Sequence, residues 1–334
     1  MKKSIIMALA VGAVSILNAT AAPAQQFTMK LSSPTINDVT HEWMKAFKAG
    51  VESRSNGRVK VEIYPANQLG QIPATVEGVA VGSIEFTVPA VGFLIGLEPR
   101  FQTLDAAGLF DTIEQGQKVL ADPDIRARLA TFGEAKGVEP LITFLNGPMM
   151  LVTHKPVRNV ADMKGLRLRV PGAAPMHIEP FKKVGASPIS LPLGEVLPTL
   201  QNKGIDGAIT AFTVITAFKY YDITKTATFL PGTWAVVSGI VNRKFMKSLG
   251  PELEGIVRDE ARKAEILFST YGVDDVVRIR KVWEQNGGEA ITMNPADAKA
   301  YLDQVTSVIP GIVGANPKVK DDYEALLAAK KKYP

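Results

Sequence analysis

Short apolar stretches alternate with helical patterns along most of the chain. Residues 58–64 place an apolar side chain at every second position, with charged residues between, which predicts a strand with one buried face. Residues 38–55 instead space Trp43, Phe47 and Val51 four positions apart, which predicts an amphipathic helix. The two periodicities together indicate an α/β chain.

The same patterns predict two successive α/β blocks. The first block has strands at 27–33, 58–64, 84–89 and 138–145, and helices at 38–55, 73–82 and 112–136, the last broken at Asp122-Pro123. The second has strands near 150–154, 166–170, 206–210, 227–230 and 234–241, and helices near 174–184 and 194–202. A helical pattern from about Glu252 to Asn286 would be about 50 Å long. It predicts a helix that runs along both lobes of a two-lobed protein, before final helices near 295–308 and 318–332.

The first 24 residues have a different character. Lys2 and Lys3 precede the uncharged apolar stretch Ser4–Leu17, and the small residues Ala22-Pro23-Ala24 follow. This order is typical of a cleaved secretory signal peptide, and a buried N-terminal helix is the alternative. No later stretch approaches the ~20 apolar residues of a membrane-spanning helix. We therefore predict export to the periplasm.

Composition narrows the chemistry. The 334 residues include no cysteine, which excludes disulfides, thiol nucleophiles and cysteine-ligated metals. The net charge of +5 is spread along the chain without a basic block, which argues against nucleic acid as a partner. The nucleophile-elbow, P-loop and dinucleotide-binding motifs are absent from the sequence. His41, His154 and His177 lack zinc-protease spacing, so we predict surface or supporting roles for them.

One strand pattern points to an anion site. In residues 164–172, KGLRLRVPG, alternation places Arg167 and Arg169 on the same face. Arg169 lies at the predicted carboxyl end of the strand, where open α/β sheets bind ligands, and a guanidinium matches a carboxylate in two-point fashion. The sequence supports equally well the alternative that Arg167 and Arg169 are two ordinary surface arginines. Met149, Phe212 and Trp234 flank this block, either as core or as pocket walls.

Several segments resemble one protein family in the same order. Residues 160–171, VADMKGLRLRVP, are similar to the "DxKGLKxRVP" signature of the DctP-type substrate-binding proteins of TRAP (tripartite ATP-independent periplasmic) transporters. Residues 57–70, 184–188 and 195–207 resemble that family's "GxxxVxxxPxxQLG", "GAxP" and "EVxxALQxGxxDG" elements. The glycine of the last element is displaced to Gly204, and Pro198 lies early in its helix.

The resemblance implies a non-enzymatic receptor with a type II periplasmic binding protein-like fold, mixed sheets and a long helix. Its lobes would close on a small organic acid and pass it to a membrane permease driven by an ion gradient. Arg169 matches the family arginine that pairs with the ligand carboxylate. Thr210 lies at the position where the family commonly has an asparagine. Met149 lies where members that bind sugar acids carry a second arginine, and Ala90 lies near the polar contact that those members make from their first domain. We predict a ligand site of Arg169, Met149, Thr210, Phe212, Ala90 and Trp234, with no catalytic residue, cofactor or metal.

These departures favour one class of ligand. A single arginine beside apolar neighbours suits a monocarboxylate with an apolar body, such as a 2-oxo, hydroxy, branched or aromatic acid, ahead of a C4-dicarboxylate. An exported hydrolase-like enzyme and a binding partner of a membrane sensor kinase are the alternatives. We expect a monomer. We place domain I at 25–146 plus about 235–275 and domain II at 147–234 plus about 276–334. We predict hinges where the chain crosses between lobes, near 146–151, near 231–234 and along the long helix.

Overall fold

The computed structural model describes residues 26–269 and 271–334, and it describes the side chains of all of these except 268–275. The predicted signal peptide, 1–24, therefore lies outside the described residues. Within the described part, no helix is both long enough and apolar enough to cross a membrane.

The described strands form one mixed sheet. They are β1 (Phe27–Ser32), β2 (Val59–Tyr64), β3 (Phe86–Thr87), β4 (Val138–Thr153), β5 (Arg167–Val170), β6 (Ser187–Ser190), β7 (Gly207–Ala211), β8 (Thr226–Asn242) and β9 (Glu289–Ile291). Their order is β2-β1-β3-β8-β4-β7-β5-β6, with β9 beside β8. Pairing is parallel within β1–β3 and within β5–β7. The long strands β4 and β8 pair antiparallel with each other, β4 also pairs antiparallel with β7, and β8 with β3. The two long strands thus connect two parallel groups.

Helices cover the sheet. They are α1 (Val39–Arg54), α2 (Ile72–Val81), α3 (Ile113–Ala121), α4 (Pro123–Leu129), α5 (Pro175–Lys183), α6 (Leu193–Gln201), α7 (Phe212–Ala217), α8 (Arg243–Ser248), α9 (Gly250–Ser269), α10 (Tyr271–Gln285), α11 (Pro295–Thr306), α12 (Ile309–Gly314) and α13 (Pro317–Lys330). Short 3-10 turns at Val91–Phe93 and Pro99–Asp105 follow β3. The predicted α/β fold is confirmed.

Helix α1 illustrates how the sequence determines local structure. The Asp38 side chain caps its first turn by accepting a hydrogen bond from the His41 backbone N–H at 3.0 Å. Trp43, Phe47 and Val51, which the helical spacing singled out, are fully buried against the sheet and α9. Burying each such side chain stabilises the fold by about 1.5–3 kcal/mol.

The crossing strands correct the sequence prediction. Residues 138–145 and 150–154 were expected to form separate strands, as were 227–230 and 234–241, but each pair is one continuous strand of 16 or 17 residues. In the sequence, Gly147 and Pro148 are typical of residues that end a strand. The sheet accommodates them through register shifts between Leu145 and Gly147 and between Pro148 and Met150. Gly147, with φ 141°, adopts a backbone conformation that other residues avoid.

The long helix predicted from Glu252 to Asn286 corresponds to α9 and α10, and residue 270 between them lies outside the described residues. Helix α9 contacts α1 and β4, whereas α10 contacts α7 and β9. The two helices therefore pack against different parts of the molecule.

Two lobes flank the crossing strands. We call β1–β3, with the segment that follows them up to Asp105, the first lobe, and β5–β7 with α5 the second lobe. One apolar cluster around Trp43, Phe86 and Val257 fills the first lobe, and another around Leu168 and Phe181 fills the second. A third and larger cluster continues between them beneath β4 and β8. The domain boundaries predicted from the sequence remain a prediction.

Candidate ligand-binding site

A cleft lies between the two lobes, beside the crossing strands. Its empty space, with the solvent at its mouth, is about 560 Å³. Residues of the first lobe, of β4 and β8, and of the second lobe all contribute to its walls. Most of the lining is apolar, and the charged side chains that line it are Arg169 and Asp105.

Arg169 is held at the inner wall of the cleft by the second lobe. It is the third residue of β5 and pairs in register with Ala208 of β7 and Ile189 of β6. Its side chain is only 1% exposed. The Nε group donates to the Leu191 carbonyl oxygen at 3.0 Å, and Nη1 donates to the Ile209 carbonyl oxygen at 2.8 Å. These two bonds fix the plane of the guanidinium.

The charge of Arg169 has no counter-ion among the described residues. No described carboxylate lies within ion-pair distance of the guanidinium, and its remaining N–H groups make no hydrogen bond to a described residue. Burial lowers the pKa of Arg169 to about 10, which leaves the side chain charged at neutral pH. A buried cation without a partner is costly, so the arrangement favours an anion in the cleft.

Arg167 behaves differently although it is on the same strand. It is exposed, and its Nη2 group lies 2.8 Å from Oδ1 of Asp206. That ion pair raises the pKa of Arg167 and lowers the pKa of Asp206. The sequence left two alternatives open for this pair of arginines. In the structure Arg167 is a paired surface residue, and Arg169 faces a cleft.

The structure brings four of the six predicted site residues together. Arg169, Met149, Thr210 and Ala90 all line the cleft. Met149 lies on β4 and Thr210 on the neighbouring β7, where Met150 pairs with Thr210. Ala90 follows β3 and forms an isolated bridge with Val237 of β8.

The other two predicted residues do not line the cleft. Phe212 is the first residue of α7, and its buried ring packs edge-on against Phe229 with 5.2 Å between ring centroids. Trp234 lies partly buried on β8 and donates from Nε1 to the Phe110 carbonyl oxygen at 2.8 Å. Both aromatic residues therefore stabilise the surroundings of the cleft.

The sequence did not single out a polar wall formed by Thr35, Thr40 and Asn146. The Asn146 amide nitrogen donates to Thr40 Oγ1 at 3.2 Å and to Asp38 Oδ2 at 3.3 Å, and its oxygen accepts from Thr213 at 3.0 Å. Burial raises the pKa of Asp38. Asn146 lies at a register shift of β4, a position that no alternating pattern indicates.

Asp105 is a further residue of the cleft that the sequence did not indicate. It ends the 3-10 turn Pro99–Asp105, lines the cleft and is 8% exposed. Its Oδ2 atom lies 3.1 Å from Nε2 of His177, which is itself buried on α5. His177 was predicted to have a surface or supporting role, and the structure shows a buried residue behind the cleft wall. A 3-10 turn without periodicity gave no signal for Asp105.

The lobes touch at the mouth of the cleft. The backbone of Gly92, just after β3, lies so close to Pro171 and Gly172, just after β5, that a methyl group on Gly92 would overlap the Pro171 carbonyl oxygen. A methyl group on Gly172 would overlap the Gly92 carbonyl oxygen. In this structure the two lobes are therefore in direct contact, which we call the closed arrangement. Within its described part, no cluster of three or more His, Asp or Glu residues is arranged to hold a metal ion.

Comparisons with known proteins support the resemblance seen in the sequence. A sequence model of the DctP family, bacterial extracellular solute-binding protein family 7, matches residues 32–313. The 2,3-diketo-L-gulonate-binding periplasmic protein of Escherichia coli is 26% identical over 305 residues, which is 90% of each chain. The sialic acid-binding periplasmic protein of Vibrio cholerae is 25% identical over 217 residues, 64% of this chain and 66% of that protein.

Solved structures show the same fold. A TRAP periplasmic solute-binding protein from Desulfovibrio salexigens with bound orotic acid superposes with a TM-score of 0.87 at 23% identity, covering 92% of this chain and 99% of that one. A TRAP periplasmic solute-binding protein from Shewanella oneidensis with bound succinate superposes with a TM-score of 0.84 at 22% identity, covering 91% of this chain and 99% of that one. The type II binding-protein-like fold is confirmed. Because the family model spans most of the chain, this protein belongs to the DctP family and is a TRAP transporter solute-binding receptor, not an enzyme.

Proposed function

We propose that this receptor binds a small organic acid with one carboxylate and an apolar body, held between two lobes that close over it. It then delivers the acid to the membrane permease of a TRAP transporter, which couples uptake to an ion gradient. The family implies the permease partner, and the relatives named above are periplasmic proteins. We propose that this chain, too, works in the periplasm, as a monomer.

The buried guanidinium of Arg169 is the observation that carries the proposal. It is oriented by two backbone carbonyls and has no described counter-ion, so a ligand carboxylate would supply the missing charge. Charge-assisted bonds from a planar fork to a carboxylate are among the stronger polar contacts in proteins. The family resemblance independently assigns the carboxylate to this residue.

The rest of the cleft supports a ligand with an apolar body. Met149, Val214 and Val236 present hydrocarbon to the cavity, and Leu193 and Ile72 extend that wall. A polyhydroxylated acid would bury several hydroxyl groups against these side chains without partners, at a cost for each. Met149 also stands where sugar-acid members of the family carry a second arginine.

The charge balance argues against a dicarboxylate. Arg169 is the one basic side chain among the residues that line the described cleft, and the acidic Asp105 lines it as well. A second ligand carboxylate would therefore be buried without a cation and near an anion.

Thermal stability in the presence of small acids tests the proposal. The processed chain, freed of any co-purified ligand by unfolding and refolding, is heated with branched, aromatic, 2-oxo and 2-hydroxy monocarboxylates and with succinate. A ligand at 100 times its Kd adds about 2.7 kcal/mol, and each kcal/mol raises Tm by about 2–4 °C, so several degrees are expected for a monocarboxylate.

Two arginine variants make the result specific. Arg169→Met should lose the shift, because truncating one partner of a buried charged pair costs about 2–5 kcal/mol. Arg167→Met, on the same strand, should keep it. Arg169→Lys retains the charge without the planar fork and should bind with intermediate affinity. An unchanged shift in folded Arg169→Met, or a shift with succinate alone, would overturn the proposed site or ligand class.

A further inference from the structure

Asp105 brings a second charged side chain to the cleft from a different element than Arg169. It is 8% exposed and lines the cavity, and its Oδ2 atom has no hydrogen-bond partner among the described residues. The contact with His177 Nε2, at 3.1 Å, is close enough for an ion pair but does not have hydrogen-bond geometry. The carboxylate therefore retains the capacity to accept a hydrogen bond.

His177 is the neighbour of this carboxylate from the second lobe, with Nε2 3.1 Å from Oδ2. It lies on α5 of the second lobe, is 6% exposed and does not line the cleft. Its imidazole packs so closely on Gly92 that a methyl group there would overlap it. Asp105 is thus held between the two lobes at the place where they touch.

The chemistry of an ionised carboxylate limits what can lie against it. It can accept hydrogen bonds but cannot donate them, so a ligand hydroxyl or ammonium satisfies it whereas a ligand carbonyl or second carboxylate does not. Leaving a buried acceptor unpaired weakens binding about tenfold or more. A site that accepts a hydrogen bond from its ligand strongly rejects analogues without the donor group. An apolar pocket discriminates less strongly against a ligand with one methylene more or fewer.

We propose that Asp105 is a specificity-determining residue, which selects monocarboxylates that also carry a hydrogen-bond donor, a hydroxyl or an amine. His177 acts as its positioning residue. The inference rests on the proposed function, since Arg169 must hold the carboxylate. A ligand with both groups would connect Arg169 on β5 to Asp105 at the end of the 3-10 turn Pro99–Asp105, and so bridge the two lobes.

Acids that share one carbon skeleton separate the possibilities. Isovalerate, 2-hydroxyisovalerate, 2-oxoisovalerate and valine differ only at carbon 2, and 3-hydroxyisovalerate moves the donor by one carbon. In wild-type protein, calorimetry should show at least one donor-bearing acid binding about tenfold or more tightly than isovalerate and 2-oxoisovalerate. Preference for valine would identify the donor as an amine, and preference for a hydroxy acid would identify a hydroxyl.

Asp105→Asn is the decisive variant, because an amide of the same shape can donate as well as accept. We expect the preference for donor-bearing acids to fall about tenfold, with 2-oxoisovalerate gaining relative affinity, while isovalerate binding stays within about threefold. Asp111→Asn, at an exposed carboxylate that pairs with Lys330, is the matched control and should change nothing.

The outcomes are distinguishable. If the wild-type protein binds all five acids equally, or folded Asp105→Asn keeps the wild-type preference, the inference about Asp105 is wrong and the proposed function stands. If none of these acids nor any monocarboxylate of the wider panel binds wild-type protein, both proposals fail. The wild-type preference needs no variant, so the test holds even if Asp105→Asn does not fold.

Discussion

Asn146, on a crossing strand, joins the first lobe to helix α7 through one buried amide group. It donates to Asp38 and Thr40 of the first lobe and accepts from Thr213, which lies on α7 beyond the crossing strand. Each hydrogen bond of such a buried amide adds little net stability, but removing the amide leaves its buried partners without hydrogen bonds. The residue therefore contributes to stability and also to the polar wall of the cleft.

Asn146→Leu should lower the free energy of unfolding by about 2–4 kcal/mol, measured by urea denaturation at neutral pH. Thr213→Val, which removes only one of the three hydrogen bonds, should cost about 1 kcal/mol. Burial raises the pKa of Asp38, and the leucine variant raises it further by removing a donor to the charged form. The difference in the free energy of unfolding between wild type and the leucine variant should therefore become smaller as the pH falls and Asp38 takes up a proton. Equal stability of Asn146→Leu and wild type would contradict this account.

At the scale of single residues, sequence reasoning succeeded where a residue carried a distinctive chemistry at a regular position. Arg169 could be proposed because alternation and the family signature both indicate it, although burial of Arg169 and exposure of Arg167 could only come from the structure. Asp105 and Asn146 could not be found in this way. One ends a 3-10 turn and the other lies at a register shift, so neither belongs to a periodic pattern.

At the scale of elements, β4 and β8 were predicted in pieces because Gly147, Pro148 and Pro231-Gly232 resemble breaks. The antiparallel ladder between the two strands supplies enough hydrogen bonds to continue past them. The irregular pairing near Leu145–Met150 coincides with one of the hinge segments predicted from the sequence, and the hinge itself remains a prediction. Such positions can absorb the dihedral changes of a closing motion.

The turn after β3 and the turn after β5 provide a test of closure through Gly92, which does not itself line the cleft. The backbone of Gly92 is compatible with alanine, but its methyl group would overlap Pro171 and His177 in the closed arrangement. Gly92→Ala should therefore fold normally and bind acids at least about tenfold more weakly, with a larger radius of gyration at ligand saturation. Gly96→Ala, where the methyl group would meet open space, is the control. Closure as tight as that of wild type in folded Gly92→Ala would contradict the role of this contact.

At the scale of the whole molecule, the two lobes, the crossing strands and the helices α9 and α10 form a frame that the sequence predicted correctly in outline. The frame is shared with receptors of low sequence identity, such as those crystallised with orotic acid and with succinate. Those proteins differ in what they bind, so the fold does not identify the ligand. Specificity must reside in the few side chains that each chain places in the cleft.

A ligand that contacts both lobes stabilises the closed form in proportion to its differential affinity for that form. Arg169 on the second lobe and Asp105 at the end of the first offer such a pair of contacts. The proposed monocarboxylate would thus select the state that the permease is expected to recognise.

The most direct test of the central claim is a crystal structure of residues 25–334 with the tightest-binding acid of the panel. We predict that both carboxylate oxygens of the ligand lie within hydrogen-bonding distance of the Arg169 guanidinium, inside a cleft closed by the contact between Gly92 and Gly172. A carboxylate bound to any other cation, or an acid bound outside this cleft, would contradict the account.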